Sequence, residues 1–181
     1  MKKRFVILDR DGTIIIDKDH LTEVSKVELI PNAAKAIKKF KDMDLGVIIV
    51  TNQTVIGNGQ ISLKYLELIH KRISELLLEE GATIDGIYFC PHKVEDNCFC
   101  RKPKLGLIEQ ALKEHDFDSE QCFVIGDKAL DIELGQAMGA KTFLVRTGYG
   151  TEVEKEIKVK PDYMVDDILE AAEIIHQQLQ S

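Results

Sequence analysis

Two aspartates stand two residues apart where an apolar run stops: Phe5-Val6-Ile7-Leu8 leads into Asp9-Arg10-Asp11-Gly12-Thr13. Carboxylates this close repel each other, so the arrangement is costly unless a cation or a shared proton compensates. Mg²⁺ suits the position, because it takes oxygen ligands and tolerates a site shared with waters and phosphate. Gly12 allows a sharp bend that turns N–H groups toward an anion. The bland alternative is a polar turn after a strand, where Asp and Gly are common for backbone reasons alone.

A second constellation is Cys90, His92, Cys98 and Cys100, spaced C-x-H-x5-C-x-C. Three thiols and an imidazole in one short loop match a closed tetrahedral Zn²⁺ site. With every position filled by protein no water is left to activate, so the zinc is expected to be structural, pinning a loop without a core of its own. A redox pair is the competing reading. Cys122, in a later apolar run, reads as a small buried residue and not as a fifth ligand. Directly after the loop come Arg101-Lys102-Pro103-Lys104. Arg101 offers a planar fork and Lys102 a point charge, both suited to anionic oxygens. Thr51 ends another apolar run, and a hydroxyl at the carboxyl end of a parallel strand can bond a phosphate oxygen.

These groups need elements to hold them. Apolar runs predict strands at 5–8, 46–50, 84–89, 122–125 and 141–145, with a short edge strand at 161–165. Helical spacing places Ala33, Ala34, Ile37 and Phe40 on one face after Pro31. A helix capped by Ser62 carries Leu63, Leu66, Ile69, Ile73, Leu76 and Leu77 inward, and His70 on it reads as a surface side chain. Further helices are expected at 105–115, with Leu105, Ile108, Ala111 and Leu112 inward, at 129–138, and at the end of the chain through Ile168, Ala172, Ile175 and Leu179. Segment 14–26 reads as a loop or short hairpin. Its Asp17, Asp19 and His20 either touch substrate or only face solvent. Segments 55–60 and 148–160 read as loops. Strands alternating with helices predict an α/β fold: a three-layer parallel sheet with helices on both faces, in one domain spanning 1–181.

The 181 residues are 44% hydrophobic and 30% charged, ordinary for a globular chain. A net charge of −7 argues against a general nucleic-acid binder. No apolar run approaches the ~20 residues that span a bilayer, and Lys2-Lys3-Arg4 leads only into a short strand. No membrane partner is therefore expected, and cytoplasmic location is the default, which agrees with a thiol cluster kept reduced for metal.

Taken in order, D-R-D-G-T at Asp9–Thr13, T-N-Q at Thr51–Gln53, R-K-P at Arg101–Pro103 and G-D-x-x-x-D at Gly126–Asp131 resemble the motifs of the haloacid dehalogenase (HAD) superfamily. The resemblance implies a Rossmannoid sheet and Mg²⁺-dependent phosphatase chemistry. Asp9 would be the nucleophile and Asp11 the acid and base, with Thr51 and Lys102 around the phosphoryl group. Mg²⁺ would be held by Asp9, Asp127 and Asp11, the last through its carbonyl. Asp131 would act through water, or only favour a helix N-terminus. Asn52, Arg101, Lys128, Asp17 and His20 are the candidates for contacts to the rest of the substrate.

Segments between the motifs leave no room for a large cap domain. Within the superfamily the chain resembles a zinc-loop branch of phosphatases acting on a heptose bisphosphate, a lipopolysaccharide precursor, or on histidinol phosphate. The short x5 spacing is like the histidinol-phosphate enzymes. Asp85–His92 and Leu144–Gly150 look more like the heptose enzymes, and the heptose bisphosphate is the favoured expectation. There is one departure: Ile56-Gly57-Asn58-Gly59 stands where the heptose enzymes tend to carry G-x-x-R-G. The expected partner is a small phosphorylated sugar and the expected state a monomer. A phospho-receiver domain would need its acceptor aspartate at the end of a middle strand, where Thr51-Asn52 stands here. An idle scaffold should have lost motif acids, and all are present.

Overall fold

The computed structural model describes residues 2–156 and 159–180. Residues 157 and 158, part of the stretch read as a loop, and the two terminal residues of the expected domain lie outside them. Six strands form one parallel sheet: β1 (Phe5–Leu8), β2 (Gly46–Asn52), β3 (Gly86–Cys90), β4 (Phe123–Gly126), β5 (Lys141–Val145) and β6 (Tyr163–Val165). Their order is β3-β2-β1-β4-β5-β6. From β1 the chain builds outward to β3, then crosses back to lay β4 on the other side of β1. The carboxyl ends of β1 and β4 thus flank the point where the topology reverses, which is where open α/β sheets bind ligands.

β1 is buried along its whole length, so all four of its residues are apolar. The pleat sends Val6 and Leu8 to one face, packed with Val47, Ile49 and Ile125 under α1 (Ala33–Asp42), α3 (Leu63–Glu79) and α7 (Ile168–Gln180). It sends Phe5 and Ile7 to the other, with Ile48, Val50 and Val124 under α4 (Gly106–Glu114) and α5 (Ala129–Met138). The expected three layers are present. Ser62 caps α3, its Oγ accepting from Tyr65 N at 3.2 Å.

Several local expectations are corrected. Segment 55–60 begins within a short helix, α2 (Thr54–Gly57). Gly150–Glu156 forms α6 inside the stretch read as loop; only Gly150 of it is buried, so no apolar stripe announced it. Leu63 and Leu112, assigned inward, are 50% and 40% exposed. His70, assigned to the surface, is only 8% exposed, because it meets a buried arginine that follows β1. Segment 14–30 closes as a hairpin: Ile16 N donates to Glu28 O and Ile30 N to Ile14 O, each at 2.9 Å. Among the described residues no helix is long and apolar enough to cross a membrane.

Candidate active site

β1 stops at Leu8, but Asp9 N still donates to Ile125 O at 3.0 Å, so Asp9 is fixed against β4. The chain then turns, with Ile14 N on Arg10 O. Asp11 therefore lies beyond the strand, and the turn, not strand alternation, sets its direction. A cavity of about 270 Å³ opens here. Asp9, Asp11, Thr51, Asn52, Arg101, Lys102, Lys128, Asp17 and His20 all line it. Asp127 is fully buried beneath.

Lys102 Nζ, itself buried, donates to Asp9 Oδ1 at 2.8 Å, Asp131 Oδ1 at 2.7 Å and Val50 O at 2.7 Å. Burial alone would discharge this lysine, but the Asp131 and Asp9 charges outweigh it and raise its pKa. Burial likewise acts to raise Asp9; Lys102 and Lys128 prevail and hold its carboxyl below the ordinary value. Asn52 fixes the lysine's backbone from both sides: its Oδ1 accepts from Lys102 N at 3.0 Å and its Nδ2 donates to Lys102 O at 3.3 Å. Although Asn52 lines the cavity, its amide is thus committed to the loop rather than free for substrate.

Asp9, Asp127 and Asp131 bring carboxylate oxygens within 4.8 Å of one another. Asp131 spends Oδ1 on Lys102 and Oδ2 on Lys128 N, at 3.1 Å, at the start of α5. Asp127 Oδ2 accepts from Tyr149 N at 2.9 Å, while its Oδ1 is buried with no partner. An orphaned buried carboxylate oxygen beside a second carboxylate is a donor set for a hard cation. Burial, then the charge of Asp9, push Asp127 up to about 8, the same unmet need expressed as proton affinity. The residues therefore fit Mg²⁺. The carboxylate of Asp11 is not in this cluster, so a share for Asp11 rests on its carbonyl. Gly12 (φ +83°) and Gly148 (φ +55°) press against Asp127, and a Cβ on either would come within 2.2 Å of its Oδ2.

Cys90 Sγ, His92 Nδ1, Cys98 Sγ and Cys100 Sγ form a second cluster, with recorded separations of 3.3 to 3.6 Å. Tetrahedral Zn–S bonds of ~2.3 Å place sulfurs about 3.8 Å apart, so the four atoms fit one ion. Cys90 ends β3, and Gln53 N donates to its carbonyl at 2.7 Å. Lys104 Nζ donates to Cys98 O at 2.8 Å, and Arg101 Nη1 to His92 O at 3.4 Å. Cys122 is buried elsewhere, its thiol on Asp118 O.

At the rim, Lys128 Nζ lies 3.3 Å from Asp17 Oδ2 and 5.3 Å from the Tyr149 ring centre. Tyr149, Gln53 and Arg10 were not anticipated as site residues. Tyr149 sat in a stretch read as loop, and only the T-N-Q triplet hinted at Gln53.

Sheet order, Asp9 at the switch point and a lysine on it define a HAD-type phosphatase, a phosphoric monoester hydrolase. A family model described as HAD-hydrolase-like matches residues 99–171. A D-glycero-β-D-manno-heptose-1,7-bisphosphate 7-phosphatase of Haemophilus ducreyi is 36% identical over 166 residues, 87% of this chain and 91% of the relative. The Helicobacter pylori (strain ATCC 700392 / 26695) protein of that name is 42% identical over 131 residues, 72% and 76% of the two chains. The D,D-heptose 1,7-bisphosphate phosphatase of B. bronchiseptica, solved with magnesium and phosphate, superposes with a TM-score of 0.90 at 28% identity, covering 97% of this chain and 99% of that one. The chain belongs to the D-glycero-D-manno-heptose-1,7-bisphosphate 7-phosphatase family.

Proposed function

We propose that this chain removes the 7-phosphate of D-glycero-D-manno-heptose 1,7-bisphosphate, releasing heptose 1-phosphate and inorganic phosphate. One observation carries the reading: Asp9, Asp11, Thr51 and Lys102 line a single cavity, in a chain whose relatives bear that activity in their names.

Asp9 attacks phosphorus through the oxygen that Lys102 does not hold. As the bond from phosphorus to the C7 oxygen breaks, Asp11 gives its proton to that oxygen and the sugar leaves as an alcohol. The phosphoryl group stays on Asp9 as an acyl phosphate. Asp11, now ionised, takes a proton from water while the water oxygen attacks the same phosphorus. The Asp9–phosphorus bond breaks, and both carboxyl groups return to their starting states. Lys102 and Thr51 meet charge where it develops on the phosphoryl oxygens. Mg²⁺, held by Asp9, Asp127 and the Asp11 carbonyl, adds charge neutralisation when bound; the magnesium and phosphate in the B. bronchiseptica structure support this.

Arg101 and Lys128 are cations at the cavity wall for the distal phosphate, and Asp17 and His20 are hydroxyl-binding groups beside them. Asn52 contributes by fixing Lys102. Cys90, His92, Cys98 and Cys100 hold a structural Zn²⁺. The enzyme works as a single-domain monomer in the cytoplasm.

The test compares heptose 1,7-bisphosphate with histidinol phosphate, following products by phosphorus NMR. The expected kcat/KM is about a hundredfold higher for the heptose, with the 1-phosphate signal intact. Faster turnover of histidinol phosphate, or loss of the 1-phosphate, overturns the reading.

A further inference from the structure

Arg10 is 1% exposed, the side chain between the two motif aspartates. Its fork grips Asp11: Nε donates to Oδ2 at 3.0 Å and Nη2 to Oδ1 at 2.9 Å. Gln53 closes the arrangement. Its Oε1 accepts from Arg10 Nη2, and its Nε2 donates to Asp11 Oδ2 and to Thr51 Oγ1, each at 2.9 Å. On the far side, Arg10 Nη1 lies 3.2 Å from His70 Nε2 on α3. A guanidinium only donates, so Nε2 is the acceptor and the ring proton sits on Nδ1. The imidazole stands edge-on to Phe89, ring centres 5.5 Å apart. Burial and the Arg10 charge lower its pKa to about 3, so it stays a neutral acceptor.

His70 does not line the cavity and cannot touch substrate. We propose that His70 is a positioning residue for the reaction: by accepting from Arg10 it fixes the plane of the guanidinium, and the guanidinium fixes the Asp11 carboxyl group, whose Oδ1 takes one donor and keeps a lone pair for the transferred proton. A buried guanidinium that loses an acceptor must find another or shift, and a bidentate grip passes any rotation on to the carboxylate. This rests on the reading of Asp11 as acid and base.

The test uses leaving groups. An alkyl phosphate such as the heptose bisphosphate needs a proton on the departing oxygen; 4-nitrophenyl phosphate does not. kcat/KM covers the chain only up to departure of that oxygen. Asp11→Asn is the reference and should lose far more on the sugar than on the aryl ester; equal losses on both would overturn the acid–base reading itself. Given that selectivity, His70→Leu should lower kcat/KM on the sugar about tenfold or more, part of the 10²–10⁴ that acid catalysis supplies, and less than about threefold on the aryl ester. His70→Gln, which places an acceptor oxygen near Nε2, should restore the sugar reaction. Thermal melting shows that each variant is folded; if His70→Leu does not fold, His70→Gln and His70→Met carry the same comparison. Equal losses on both esters, no loss, or failure of Gln to outperform its apolar counterpart overturns the proposal while leaving the Asp11 reading in place.

Discussion

The ammonium of Lys102 lies 2.8 Å from Asp9 Oδ1, across a loop separation of 93 residues. The same ammonium reaches Asp131 after β4, so the loop after β3 joins the acids that follow the two central strands. Because the pair is buried with Asp131, removing the cation leaves carboxylates facing one another without compensation. Lys102→Met is expected to cut kcat by about 10²–10³ and to destabilise the metal-free protein by about 3 kcal/mol. Phosphate release and denaturant titration measure the two effects. A kcat within a few-fold of the parent contradicts the role given to Lys102.

The thiol loop ends at Cys100, immediately before Arg101 and Lys102. Loss of the proposed zinc should reach turnover, although none of the four ligands lines the cavity. Purified protein is expected to hold about one zinc ion per chain. Cys98→Ser, assayed with excess Mg²⁺, should lack that zinc, melt earlier and fall at least about tenfold in kcat. Metal analysis, melting curves and phosphate release check this. Zinc-free protein with parental stability and rate would remove the structural assignment.

Gly148→Ala should strike the Mg²⁺ site from outside. The added Cβ would sit 2.2 Å from Asp127 Oδ2 and 2.6 Å from Gly12 Cα. The Mg²⁺ concentration for half-maximal activity is expected to rise about tenfold or more, as when groups supporting a metal ligand are lost. Gly59→Ala is the control. It has a similar backbone angle, φ +70°, with nothing within 4 Å of the added carbon, and should leave the Mg²⁺ requirement unchanged.

His70 gives a pH signature. Its pKa is lowered from 6.5 to about 3 in the folded chain, by burial and then by Arg10. Below pH 6.5 the unfolded chain binds a proton that the native chain refuses. The associated stability is therefore full above pH 6.5 and is lost as pH falls toward 3. Between pH 7 and 5 the loss is about 2 kcal/mol. His70→Gln removes this slope, whatever its stability at pH 7. Denaturant titrations at both pH values read the difference, and parallel changes in the two proteins would exclude a neutral buried imidazole.

The strands were legible as continuous apolar runs, and the candidate site residues as the polar groups that stand where those runs stop. Val47–Val50 and Phe123–Ile125 are continuous apolar segments, and Thr51 and Asp127 follow at or near their ends. α6 was not legible, since GTEVEKE shows no apolar face. Nor was His70: a histidine among Ile69, Lys71 and Arg72 looks like a surface residue until Arg10 arrives from across the sequence. Strand order escaped for the same reason, being set by which runs pair over long separations. The zinc-loop spacing pointed to histidinol phosphate, while the residues of Asp85–His92 and Leu144–Gly150 pointed to the heptose; the names of the relatives favour the heptose.

Sheet order also governs what happens while the chain is being made. β1 and β2 leave the ribosome before the other strands and can pair at once, whereas β4 covers the other edge of β1 only after β3, the thiol loop and α4 have been made. Until then that edge offers unpaired N–H and C=O groups to any passing strand. A transcript broken in that interval yields a sticky fragment, bearing Asp9 with neither Asp127 nor the Thr147 hydroxyl that seals Gly12 O at 2.6 Å.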